Sequence, residues 1–356
     1  MTKILIPAND PCFPIGLAKA YQKLGCEAIV GVHNFFLGTA GFDMIHFLWP
    51  ESFCLAGPPD ERTLEQIRKK LEWWSQRCMM LISVNNYYPH GYEGHPAYKK
   101  LYGLFYERCA GIHHFSNASR DLVVKEWPVA ATKPNIVTTG FNYAHLLRPE
   151  VQRKSLRESL GFKDDDLVIL AFGALRTWSE VKLLTSALAR VRVANKRILM
   201  VCRYTEIPYR LSVLLRHKRL GLWRRWHRVV SIGGFVADEE LYRYFEPADV
   251  VVVPRVDSLS SGVPSLAMTF GRMVIVPNRG AYPEYVAGTG NLLYKPGDAA
   301  SLAGAIEQAS RLDREKIGEQ NRRLSAAWTW DRVAQACLEL ARRSGARPNA
   351  ISLACA

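Results

Sequence analysis

No C-x-x-C pair occurs among the eight cysteines of this 356-residue chain (Cys12, Cys26, Cys54, Cys78, Cys109, Cys202, Cys337 and Cys355). Scattered singly, they offer neither a zinc site nor a disulfide framework, and they read as reduced thiols that pack. No apolar run reaches the ~18 residues that a spanning helix needs. The amino terminus lacks a signal-peptide pattern, because Met1-Thr2-Lys3 leads straight into the strand-like run Ile4–Ala8. The expectation is a cytosolic or peripheral protein. Internal repeats and low-complexity tracts are also missing, which removes solenoids and arrays.

Acidic residues are scarce: 33 against 47 basic ones, a formal charge of +14. A basic surface can serve nucleic acid, an anionic membrane leaflet or a phosphorylated substrate. The densest cluster runs from Arg216 to Arg228 (RHKRLGLWRRWHR). It reads as a solvated basic helix with inward tryptophans, or as an interfacial membrane contact. No nucleic-acid-binding motif accompanies it, so that partner is not expected.

What is present is globular. Hydrophobic residues make up 48 % and charged residues 22 %, and the length predicts two domains. Short apolar runs alternate with helical patterns: strands at Lys3–Ala8, Glu27–Val32, Met44–Phe47, Met79–Val84, Gly111–Phe115 and Asn135–Thr139, and helices at Pro14–Leu24, Thr63–Arg77, Pro96–Ala110 and from near Asn117-Ala118-Ser119. That alternation predicts a parallel sheet with helices on both faces. From Phe141 to Asp166 the chain turns polar and mixed in charge, a linker with a short helix. The pattern then restarts, with strands at Leu167–Phe172, Arg197–Val201, Val229–Ile232, Val250–Pro254 and Met273–Pro277. Helices follow at Ser179–Val193, Asp238–Phe245 (capped by Asp238), Ser301–Ser310 and Asp331–Arg343. The domains are set at 1–145, a linker at 146–165, a second domain at 166–318, and helices and a tail at 319–356 that can cross back to the first.

The most informative stretch is Val250–Tyr294. A buried strand runs into the turn Ser260-Ser261-Gly262 and a helix start, followed by a second strand and the loop Gly280-Ala281-Tyr282-Pro283-Glu284. Free amides and the positive helix end make an anion site there, suited to a diphosphate. Arg176, after a strand end and Gly173, has the fork to take two phosphate oxygens. The plainer accounts are a surface arginine and an ordinary helix cap.

Here the residues resemble a family. Phe172-Gly173-Ala174-Leu175-Arg176, Gly234-Phe235-Val236-Ala237-Asp238-Glu239-Glu240-Leu241, Ala248–Pro254, Ser261-Gly262 through Phe270-Gly271-Arg272, Pro283-Glu284 and Pro296-Gly297-Asp298 stand in the order of the donor domain of GT-B glycosyltransferases of the glycosyltransferase 4-like group. In the first half His46–Glu51, Asn86–His90 and His113–Arg120 are similar to bacterial exopolysaccharide mannosyltransferases of the xanthan type. The resemblance implies an α/β fold of GT-B type, two Rossmann-like doubly wound domains facing a cleft. It implies a sugar-nucleotide donor, GDP-mannose or a UDP-sugar, used as substrate with no cofactor, and a glycan or polyprenyl-diphosphate-linked acceptor. Carried over, the donor contacts are Gly173, Arg176, Lys182, Arg203, Phe235, Val236, Ser260, Ser261, Gly262 and Glu284. Ser179 stands where many relatives carry lysine, and Leu259 and Ala267 stand where others carry paired glutamates.

An inverting transfer needs a base for the acceptor hydroxyl, whereas a retaining one needs no dedicated base and the donor phosphate itself can serve. Candidates are His90, Glu51, Asp10 and His114, each with a structural account beside it: a loop histidine bonded to backbone, a cap, or packing. No D-x-D pair stands in the cleft loops, so no catalytic metal is expected. The competing readings are a silent GT-B subunit that binds glycan or scaffolds an assembly, and a sugar-nucleotide epimerase, for which the site is poor in acids.

Overall fold

A computed structural model describes residues 1–9, 13–38, 41–54, 57–89, 91–204, 229–232 and 236–345, with backbone alone at 203, 204, 229, 231 and 232. The chain divides into two compact units, Met1–Phe141 with Trp328–Ala356, and Asn142–Ala327.

The first unit runs β1 (Lys3–Ile6), α1 (Phe13–Lys23), β2 (Glu27–Val30), α2 (Val32–Leu37), β3 (Met44–Phe47), α3 (Glu61–Ser75), β4 (Met79–Val84), α4 (Pro96–Arg108), β5 (Gly111–His114), α5 (Asn117–Glu126) and β6 (Asn135–Val137). Its strands are short and apolar, and each is joined to the next through a crossover too long for a hairpin, so the pairing is parallel throughout. The order is β2-β1-β3-β4-β5-β6. Side chains alternate across the sheet. Ile45, Phe47, Ile82, Val84 and Ile112 go to the face covered by α3 and α4, with Leu71, Trp74, Leu101 and Phe105. Ile4, Ile6, Met44 and Leu81 go to the other.

The second unit runs α6 (Arg153–Ser159), β7 (Leu167–Leu175), α7 (Trp178–Arg190), β8 (Lys196–Tyr204), β9 (Val229–Ile232), α8 (Tyr242–Phe245), β10 (Val250–Val252), α9 (Gly262–Thr269), β11 (Met273–Pro277), α10 (Tyr282–Val286), β12 (Leu292–Tyr294), α11 (Ala299–Ala309) and α12 (Arg314–Ala326). Its sheet is parallel too, in the order β12-β11-β10-β7-β8-β9. Both faces of β10 and β11 are covered, which is why Val250–Val252 and Met273–Pro277 read as unbroken apolar runs.

The last helix, α13 (Trp330–Arg343), returns to the first unit. Thr329 caps it, and its apolar stripe of Val333, Ala334, Cys337, Leu338 and Ala341 closes the second face of the first sheet beside α1. Gly111 admits it: a Cβ there would sit 2.8 Å from the Leu340 side chain.

The two architectures are Rossmann-like, as expected, with most element boundaries within a few residues of the sequence reading. Among the described elements, four helices and strands were not foreseen: α2, α10, β12 and α12. Helix α12 hides its pattern because it buries Ile317 with small or polar residues, Gly318, Asn321 and Ser325. Asn321 bonds the Arg272 carbonyl and Asn291 rather than packing as a hydrophobe. Asp238 does not cap a helix; it opens a short 3-10 turn whose N-cap is Ala237.

Candidate functional site

In an open parallel sheet, ligands bind outside the carboxyl ends of the strands where the strand order reverses. In the second unit the chain adds β8 and β9 on one side of β7, then returns to add β10, β11 and β12 on the other. The reversal lies between β7 and β10. The loops that follow these two strands hold Gly173–Arg176 and Arg255–Gly262, so the fold brings together the two stretches singled out as anion-binding.

Local chemistry shapes each loop. Gly173 has φ +95°, a conformation that favours glycine, as the strand turns toward α7. Thr177 caps α7 by accepting from the Glu180 amide at 3.3 Å. Glu180 is buried, and its Oε2 reaches back to accept from the Arg176 amide at 2.7 Å. This is a capping box whose acidic member holds the residue just before the cap. Ser261 caps α9 and accepts from the Val263 amide at 3.3 Å. Ser260, Ser261 and Gly262 are all half-buried at this helix start.

Three further residues complete the site, and they carried no family signal. Arg255 directly follows the buried strand, is 3 % exposed, and donates through Nη1 to Glu180 Oε2 at 3.0 Å and to the Ala174 carbonyl at 2.6 Å. Tyr282 donates its hydroxyl to Ser258 Oγ at 3.2 Å, and Ser258 donates to the Ser260 carbonyl at 2.8 Å. Burial raises the Tyr282 hydroxyl pKa, opposed by the bond to Ser258 and by the nearby positive charges of Arg255 and Arg176. The loop before α10 clamps the serine loop: the Ala281 amide donates to the Leu259 carbonyl at 2.9 Å. Gly280 has φ +54°, and a Cβ there would overlap that carbonyl oxygen. Glu180 had a legible signal, the Thr-x-x-Glu spacing. Arg255 was legible only as a charge set immediately after an apolar strand.

Among the other donor candidates, Lys182 is exposed on α7 and Glu284 is half-buried in the first turn of α10. Val236 is half-buried ahead of the 3-10 turn. Phe235, the Arg203 side chain and the basic segment 216–228 lie outside the described residues.

In the first unit the order reverses between β1 and β3. Asp10 follows β1, but it and His90 lie outside the described residues. Glu51 sits in the 3-10 turn Pro50–Phe53 after β3. Its Oε2 accepts from Tyr102 at 2.6 Å and its Oε1 from Asn86 at 3.2 Å. Burial raises its carboxyl pKa, with those hydrogen bonds opposing. His114 is fully buried with both ring nitrogens engaged, Nδ1 with Ser119 Oγ at 3.2 Å and Nε2 with Asn135 Oδ1 at 2.8 Å. Desolvation lowers its pKa to about 4.

Beside it runs a buried polar chain across the sheet. Tyr21 meets His46 Nδ1 at 2.8 Å, His46 Nε2 meets Ser83 Oγ at 2.6 Å, Ser83 Oγ meets His113 Nδ1 at 2.7 Å, and His113 Nε2 meets Thr138 at 2.7 Å. Every member is at most 5 % exposed. Desolvation keeps both imidazoles neutral and takes the His46 pKa down to about 3. A neutral imidazole donates once and accepts once, and a hydroxyl can do both, so the chain satisfies itself.

Residues 166–311 match the family model described as Glycosyl transferases group 1. Over 306 residues the chain is 24 % identical to an uncharacterized glycosyltransferase of Methanocaldococcus jannaschii, covering 84 % of this chain and 75 % of that one. Sucrose-phosphate synthase from Thermosynechococcus elongatus superposes with a TM-score of 0.72 at 18 % identity, covering 96 % of this chain and 99 % of that one. Anabaena HepE, solved in complex with UDP and glucose, superposes at 0.69 and 17 % identity over 96 % and 100 %. The two parallel-sheet, Rossmann-like units have the GT-B architecture, and the matches support a glycosyltransferase.

Proposed function

We propose that the chain transfers a sugar from a nucleoside-diphosphate donor, GDP-mannose or a UDP-sugar, to a lipid-linked or other glycan during synthesis of a bacterial surface polysaccharide. The reading places it in the cytoplasm or at the inner membrane face, which its +14 charge suits. The observation that carries it is the meeting of Gly173–Arg176 and Ser260–Gly262 at the strand-order reversal of the unit that matches the family model. Complexes of HepE with UDP and with UDP-glucose support a sugar nucleotide as donor.

As the anomeric carbon–oxygen bond breaks, negative charge grows on the leaving diphosphate. The Arg176 guanidinium and the amides at the start of α9 meet that charge, so the step proceeds without a catalytic metal. The acceptor hydroxyl loses its proton as its oxygen bonds the sugar. Glu51, Asp10 and His90 are the candidate bases of an inverting transfer. Glu51 suits the task because burial raises its proton affinity. His114 suits it less, enclosed and with both nitrogens occupied.

Mass spectrometry of the full chain incubated with UDP-glucose or GDP-mannose and a polyprenyl-diphosphate oligosaccharide tests the reading. A glycan heavier by one hexose supports it. Donor binding without turnover across the screen indicates a silent binding subunit, and donor cleavage that ignores the acceptor indicates epimerase-type chemistry.

A further inference from the structure

The buried arginine behind the serine loop has an unusual balance of contacts. Arg255 makes both of its side-chain bonds through one nitrogen, Nη1, to Glu180 and the Ala174 carbonyl. Its Nε is buried without a partner. An unpaired donor on a buried guanidinium is costly, more so than on a neutral group. Among the described residues, two other arginines of this unit carry an unpartnered Nε, Arg153 and Arg272. Both donate to the Ala248 carbonyl, at the amino end of β10, and pair with Asp249 and Glu246. Arg255 stands at the other end of the same strand, among the loops that hold Arg176 and Ser260–Gly262, and its charge and that of Arg176 both bear on the Tyr282 hydroxyl.

We propose that Arg255 is a second guanidinium for the donor diphosphate, resting on the donor-site reading above. Glu180 and the Ala174 carbonyl hold the Nη1 corner from behind. That leaves the Nε–Nη2 edge, the side of the fork that matches two oxygens of a phosphate, for the ligand. The side chain is 4 % exposed, so a phosphate oxygen meets it where water screens poorly and the attraction is strong. Glu180 thereby has two tasks: it fixes the Arg176 turn through the backbone amide and aims Arg255.

Calorimetric titration of UDP and GDP into the full-length protein tests this, with Arg176→Ala as the control for the donor site. Arg255→Met and Arg255→Lys are expected to weaken binding roughly tenfold to a hundredfold, the range of one charge-assisted pair. Lysine retains the charge beside Glu180 but loses the fork, so it separates ligand contact from fold support should the methionine variant unfold. If Arg176→Ala weakens binding while Arg255→Lys matches wild type, Arg255 is only a structural ion-pair partner and the proposal fails. If wild type takes up neither nucleotide, the donor-site reading fails and this assignment goes with it.

Discussion

Two parallel sheets built on one plan treat polar groups at their strand ends in opposite ways. In the first unit Tyr21, His46, Ser83, His113 and Thr138 form a sealed chain, and His114 closes on Ser119 and Asn135. Each group finds its partner within the protein. In the second unit Ser260, Ser261, Gly262 and Arg176 are only half-buried at the strand-order reversal, and the buried Arg255 behind them keeps an unpartnered Nε. A satisfied buried network favours one arrangement of the core. Amides and cations gathered at a helix start favour an anion. The first arrangement serves stability, and the second, on the reading proposed above, serves recognition.

The largest expected break in this contrast comes at Gly280. Valine there must keep φ near +54° and overlap the Leu259 carbonyl, so the serine loop has to move. Steady-state kinetics should show kcat/KM lower by on the order of 10³-fold, beyond a single lost contact. A near-wild-type value would detach that loop from function. Next, Arg176→Ala should lower kcat/KM on the order of 10²-fold with little change in Tm. Unchanged kinetics would remove Arg176 from the mechanism.

Ser83→Ala probes the opposite unit. It strands His46 Nε2 and His113 Nδ1, at a cost of about 2–3 kcal/mol of stability, while UDP affinity stays put. Denaturant melts and calorimetry read the two effects separately, and a loss of affinity without a loss of stability would contradict the division of roles.

Acid should expose the same asymmetry. The folded His46 and His114 pKa values lie near 3 and 4, below the ordinary histidine value, so the unfolded chain binds more protons as pH falls from about 6.5. Stability is full above that pH and is lost on the way down toward pH 4. Hydrogen exchange at pH 5 compared with pH 7.5 should therefore loosen β3–β6 more than β7–β11, after correction for intrinsic rates. Equal loosening would count against neutral buried imidazoles. The smallest effect belongs to Ser261→Ala, which removes a helix cap worth about 1 kcal/mol and should raise donor KM a few-fold.

Much of this was legible in the chain itself. Parallel strands buried on both faces must be apolar throughout, and Val250–Val252 and Met273–Pro277 show it. The Ser260-Ser261-Gly262 turn and Arg176 stood out because local chemistry, a cap and a post-strand cation, leaves a local trace. Helix α12 left none, since it packs through Gly318, Asn321 and Ser325 rather than an apolar stripe.

Sequence alone determined that two parallel α/β units would form and which turns could hold an anion, because periodicity and capping act over a few residues. Only the tertiary structure decided that Arg255 would meet Glu180, 75 positions away, and that His46, Ser83 and His113 would join into one line. Those partnerships depend on strand order and register, which bring distant residues side by side. No local pattern encodes whether a buried polar group will be paired by the protein or keep a donor for a ligand.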